Sequence, residues 1–223
     1  MDQFSDIDLC VLAEAPIQSI IEIVQTALEK HQVIHNWQTA KSFWGEGMAQ
    51  RVIVLKDTPK YFLIDVGVFN NHHPQLAKDF LEVERHGQPT ILFDKTGKVK
   101  TGHTDAHSMV NKQTVRVEEL NRGLVIFKTL VLKEIERGNC IDDIAFYQTG
   151  LLRPLIEVLG MLRRPLKYDF GMRFIHKSFP VDEQNLIEKL SDVAGFEALP
   201  EKLIKIEKTF TAAVAQIQKR TSM

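Results

Sequence analysis

Two acids stand two residues apart near the start of the chain, in Ser5-Asp6-Ile7-Asp8-Leu9. In an extended strand, residues two apart point to the same side. Asp6 and Asp8 then stand side by side, while Ile7 and Leu9 turn to a core. Adjacent carboxylates repel unless a cation lies between them. Such hard oxygen ligands suit Mg²⁺ and metal-assisted phosphoryl transfer. A third acid, Asp65, lies within residues 61–69 (YFLIDVGVF), with apolar neighbours on both sides. A carboxyl embedded in an apolar strand has to be paired, protonated or bound to metal. If that strand lies beside the first, Asp65 completes a three-carboxylate cluster. The plainer alternative is a chance Asp-x-Asp pair, with Asp65 on the wet side of an amphipathic strand.

These acids need elements to position them. Residues 6–12 (DIDLCVL) predict a strand. Pro16 suits a first helical turn. Ile17, Ile20, Ile21, Val24 and Leu28 follow at helical spacing, so 16–31 predicts an amphipathic helix. A strand fits 32–37, and Gly45 and Gly47 mark a loop. Residues 51–56 and 61–69 are the clearest strands, and DTPK between them suits a hairpin turn. A short helix fits 75–85. Thr90–Phe93 reads as a fifth strand closed by DKTG, and 98–111 as a polar linker.

From about residue 112 the pattern turns helical. Val117, Leu120, Leu124, Phe127, Val131 and Ile135 recur at three and four, up to Gly138 as a stop. A helix over 141–162 carries Pro154 as an expected kink. Further helices fit 169–178, 183–194 and 200–219. The fold class expected is α+β: a mixed sheet with helices over 1–108, then an all-α domain over 109–223.

Composition bounds the function. Of 223 residues, 44% are hydrophobic and 26% charged, which is globular rather than disordered. Lys plus Arg is 28 against 29 for Asp plus Glu, a net charge of -1, which argues against binding nucleic acid through bulk charge. Cys10 and Cys140 have no metal-type spacing and point to a reducing compartment without disulfides. The first ten residues hold three acids and no base, unlike a secretory signal. The apolar run Leu124–Val131 is interrupted by Lys128 and too short to span a bilayer. A soluble cytoplasmic protein is expected.

Phe4-Ser-Asp-Ile-Asp-Leu9 resembles the second half of the nucleotidyltransferase signature, in which Gly-Ser, a gap and Gly precede Ser-Asp-x-Asp-Leu. Asp65 in its apolar strand resembles that superfamily's third acid. Residues 133–139 (KEIERGN) and 163–168 (RRPLKY) resemble the helical domain of the bacterial aminoglycoside and lincosamide branch. The resemblance implies a polymerase-beta-like fold and Mg²⁺, as two ions, held by Asp6, Asp8 and Asp65. It implies ATP or another nucleoside triphosphate as substrate and Ser5 near its phosphates. Asp65 would hold the second metal or act as base toward a hydroxyl on an antibiotic-like small molecule. That hydroxyl would attack the α-phosphorus and release pyrophosphate. The Gly-Ser half of the signature is not in this chain. The expectation is therefore an N-terminally truncated sequence lacking a first strand, active as an enzyme if completed. An edge left by that strand favours pairing of two copies as a homodimer.

Other residues carry weaker expectations. Arg153, next to Pro154 in the apolar run GLLRPLIEVLG, would need an anionic partner if buried. Arg153 and Tyr147 are candidate acceptor-binding residues, with core packing the plainer role for Tyr147 and for Tyr168. Trp44, in the loop 41–51, could stack on a base. His72, His73, His103 and His107 invite a zinc reading, yet no Cys or third His stands at a suitable spacing, so surface histidines are preferred. Cys10 is expected in the core. The other functional reading is a non-catalytic, degenerate nucleotidyltransferase-fold protein that binds a partner, in an antitoxin-like or regulatory role.

Overall fold

Apolar residues at every second position, and a helix with an apolar stripe, build the N-terminal part of the chain. This computed structural model describes residues 5–40, 47–70, 81–97, 99–193 and 195–221. The chain divides into two compact units, Met1–His103 and Thr104–Met223. The first holds β1 (Ile7–Ala13), α1 (Ile17–Glu29), β2 (Val33–Gln38), β3 (Met48–Leu55), β4 (Ile64–Asn70) and a short α2 (Val83–His86). The strands lie in the order β1-β4-β3-β2. β1 runs parallel to β4, while β3 is antiparallel to both β4 and β2, so the sheet is mixed.

One face of this sheet is closed by α1. Leu9 and Val11 of β1, Ile53 of β3, and Ile64, Val66 and Val68 of β4 pack against Ile17, Ile20, Ile21, Val24 and Leu28 of α1. Burying each such side chain stabilises by about 1.5–3 kcal/mol. A one-residue slip of β4 would turn the three apolar residues that face α1, Ile64, Val66 and Val68, to the other side, so their burial fixes the register. Arg51, also on this face, is buried and donates to Gln25 of α1 and to Gln38 of β2.

The second unit is helical among its described residues. α3 (Ala106–Arg137) begins at Asp105, whose side chain accepts from the N–H groups of His107 and Ser108, and ends at Gly138 with φ 72°. α4 (Cys140–Tyr147) runs through a π-helical stretch, Gln148–Leu152, into α5 (Arg153–Arg163). α6 (Ile175–Ser178), α7 (Val181–Ser191) and α8 (Leu199–Thr221) follow. Their core includes Leu124, Val131, Leu155, Ile156, Ile206 and Phe210.

The α+β class expected from the sequence is what the structure has. Several details differ. Thr90–Phe93 is not a strand: no ladder partner takes it among the described residues, and Leu92 and Phe93 are 74% and 73% exposed. The expected linker over 98–111 already contains the first turns of α3, because Asp105 caps it. Of the helix expected over 75–85, residues 75–80 lie outside the described residues and α2 covers only Val83–His86. At Pro154, where the sequence predicts a kink, the helical run departs from α geometry. A proline ring crowds the carbonyl four residues back, here Gly150, and the chain widens there to a π-helical turn in which Arg153 N–H donates to Gln148 O. Among the described residues, no helix is long and apolar enough to cross a membrane.

Candidate functional site

The parallel ladder sets Asp8 of β1 directly opposite Asp65 of β4. Paired residues of neighbouring strands share a face and lie about 4.8 Å apart along the hydrogen-bonding direction. Ile7 and Ile64 on one side, and Leu9 and Val66 on the other, pair in the same ladder. Core burial of Leu9, Ile64 and Val66 therefore forces both acids to the face away from α1. Asp8 is exposed and Asp65 half-buried.

Gln50 of β3 supports the pair. It stands opposite Gly67, two residues along from Asp65, on the same face. Its Nε2 donates to Asp65 Oδ1 at 2.9 Å and to Oδ2 at 2.7 Å. One amide thus holds both carboxylate oxygens in a fixed orientation. Gly67 leaves little room for anything larger, since a Cβ there would sit 3.2 Å from the Phe69 ring and 3.3 Å from Met48 Cε.

Asp6 lies just before β1, and its Oδ1 accepts the N–H of Leu63 at 3.0 Å. Ile7 N–H donates to the carbonyl of that same Leu63, also at 3.0 Å. One oxygen of Asp6 therefore serves the junction of the two strands. Ser5, half-buried, leads into the strand. Among the described residues, no three His, Cys, Asp or Glu side chains come together as a metal-holding group.

No protein-family model matches the chain, and no curated protein does. Among solved structures, it is similar to an aminoglycoside 6-adenyltransferase from Bacillus subtilis, with a TM-score of 0.42 and 11% identity over 96% of this chain and 81% of that one.

The donor set can be tested against Mg²⁺ on its own chemistry. Mg²⁺ usually takes one or two carboxylates, keeps several waters and completes its shell with substrate phosphates. Asp8, exposed, and Asp65, half-buried with both oxygens accepting from Gln50, put two carboxylates on one face of the sheet, and Asp8 has no ion-pair partner among the described residues. This fits a cation that arrives on a phosphate chain. It does not fit a closed protein cage.

The remaining candidates fall elsewhere. Tyr147 is fully buried and donates its hydroxyl to Leu190 O at 2.9 Å, so it packs the helical core and reaches no acceptor. Burial pushes its hydroxyl above the ordinary tyrosine range. Arg153 is exposed, so no buried anion is needed for it; the buried arginine of that region is Arg164, which donates to the carbonyls of Gly171 and Arg173. Tyr168 is buried, and Cys10 is exposed on the face of Asp8 rather than in the core. His103 Nδ1 lies 2.6 Å from Glu84 Oε1, whereas His107 sits in the first turn of α3. Trp44, Gly45, His72 and His73 lie outside the described residues.

Sequence reading missed Gln50. An amide in a strand belongs to no motif. The available signal was its alternation with Met48 and Val52 in the strand that pairs with Asp65.

Proposed function

We propose that the sheet face carrying Asp8 and Asp65 binds a nucleoside triphosphate, ATP or another, with Mg²⁺, and that the chain transfers its nucleoside monophosphate to a hydroxyl of a small molecule. The observation that carries this reading is the register of Asp8 opposite Asp65, added to the Ser5-Asp6-Ile7-Asp8-Leu9 segment. Asp8 and Asp65 would hold Mg²⁺, with Asp6 as the third acid. Bound there, the ion neutralises charge on the triphosphate and on the pyrophosphate that leaves. Gln50 would fix the orientation of the Asp65 carboxylate through its two hydrogen bonds. Ser5 lies where the phosphates would enter. In the transfer step the acceptor oxygen bonds to the α-phosphorus as the bond to the bridging oxygen breaks. Pyrophosphate would depart, and Asp65, if it does not hold the second metal, would receive the hydroxyl proton. Positioning and charge neutralisation supply most of what such a step needs. An aminoglycoside- or lincosamide-like acceptor follows from the sequence resemblance alone.

The test is pyrophosphate release from each of the four nucleotides, with Mg²⁺ and a panel of hydroxylated acceptors. Transfer by the wild type that is abolished in a folded Asp65→Asn protein supports the reading. Transfer that survives Asp65→Asn removes it.

A second reading has its own support. One oxygen of Asp6 is engaged by Leu63, and no three-acid group forms among the described residues. A degenerate, non-catalytic protein of this fold that binds a macromolecular partner would look the same. It predicts no Mg²⁺-dependent nucleotide binding, or binding indifferent to Asp8.

A further inference from the structure

One row of the sheet links the acid pair to an aromatic ring. Asp8 pairs with Asp65, Asp65 with Val52, and Val52 with Trp37, across β1, β4, β3 and β2 in turn. Paired residues share a face, so all four project from the side away from α1. Trp37 is 60% exposed, although its strand is held in the sheet. Two strand spacings, about 10 Å, separate it from Asp65. Val52 between them is half-buried and uncharged.

Resting on the function proposed above, we propose that Trp37 is the platform on which the nucleobase stacks. A triphosphate seated at Asp8 and Asp65 carries its base one ribose away, along the row toward β2. Every base offers a flat π-face, and an indole held on a strand loses little freedom when a base covers it. The apolar floor at Val52 suits a sugar edge passing over it. Nothing in the row reads the edge of the base, so Trp37 supplies affinity for a nucleoside without choosing among the four.

The experiment compares two probes by calorimetry in the presence of Mg²⁺: ATP and inorganic tripolyphosphate, which has the phosphates but no base. Stacking of this kind strengthens binding roughly tenfold. The wild type is expected to bind ATP about tenfold more tightly than tripolyphosphate. Trp37→Ala should erase that margin and leave tripolyphosphate affinity unchanged, while Trp37→Phe keeps most of it. A margin that survives Trp37→Ala overturns the proposal while Asp8-dependent binding of both probes still stands. A Trp37→Ala effect confined to the KM of the acceptor also overturns it, because the ring would then hold the other substrate. If neither probe binds in an Asp8-dependent way, the function proposed above fails and this inference fails with it.

Discussion

Asp6 Oδ1 accepts the backbone N–H of Leu63 while Ile7 N–H donates to the Leu63 carbonyl, both at 3.0 Å. Leu63 is thus bonded on both sides at the point where β1 and β4 begin to pair. The ladder that starts there puts Asp8 opposite Asp65. The first acid of the motif therefore helps set the register that brings the other two together. Asp6→Ala removes one exposed hydrogen bond, worth about 1 kcal/mol, so Tm should drop by only a few degrees. The Leu63 amide should exchange faster in Asp6→Ala and at the wild-type rate in Asp6→Asn, whose Oδ1 still accepts. Equal exchange in all three proteins would remove the pinning role.

Like charges directly opposite one another in a sheet destabilise it. Asp8→Asn should therefore raise Tm when Mg²⁺ is chelated. Mg²⁺ with ATP should raise the wild-type Tm, and the same substitution should abolish that rise, since ligand binding stabilises only through its site. Thermal melts with and without Mg²⁺-ATP check both halves. A Tm for Asp8→Asn that is lower without metal, or that still responds to Mg²⁺-ATP, contradicts the paired-carboxylate account.

Gln50 donates to both oxygens of Asp65 and, on the proposed function, would act through it. Partners that orient a metal-binding carboxylate are worth about 10–100-fold in metal affinity when lost. Gln50→Met keeps the volume and removes both contacts to Asp65. Mg²⁺ titration in the presence of ATP should show a loss in that range with little change in Tm. Unchanged Mg²⁺ affinity would leave Gln50 a packing residue.

In the helical unit, Asp143 is fully buried, and neither carboxylate oxygen has a hydrogen-bond partner among the described residues. Burial first, and the nearby Glu134 charge second, hold its carboxyl above the ordinary range. A raised value means that the folded state keeps this proton where the unfolded chain has released it. Stability from this group falls as pH rises through that window and is greatest below it. Glu134 runs the other way: the Asn139 amide, and then Arg137, hold it below its ordinary range. Its contribution is present at neutral pH and lost in acid. Asp143→Asn should raise the urea midpoint at pH 7 and remove the decline that sets in as pH rises above the ordinary aspartate range. A decline equal to that of the wild type would contradict the assignment.

Much of the N-terminal unit was legible in the chain. The alternation around Asp8 and Asp65 marks which side each acid takes, and the stripe from Ile17 to Leu28 marks the helix that covers the opposite side. Pairing was not legible. That Asp65 meets Asp8, or that Trp37 lies in the same row, depends on register, which no local pattern states. Thr90–Phe93 misled because a β-branched apolar run has strand propensity whether or not a partner exists. The start of α3 was missed although Thr104-Asp105-Ala106 carried the capping signal. The apolar run around Arg153 left its burial open; its place in the helical turn points it outward, while Arg164 on the next loop is the one enclosed.

On the proposed function, Asp8 and Asp65 form one cation-dependent nucleotide site. Calorimetric titration of ATP into the wild type, Asp8→Asn and Asp65→Asn, each with Mg²⁺ and with chelator, tests it most directly. The account predicts binding by the wild type only with Mg²⁺, and loss of that binding in both variants while their folded signal persists. Binding that ignores Mg²⁺, or that survives both substitutions, would contradict it.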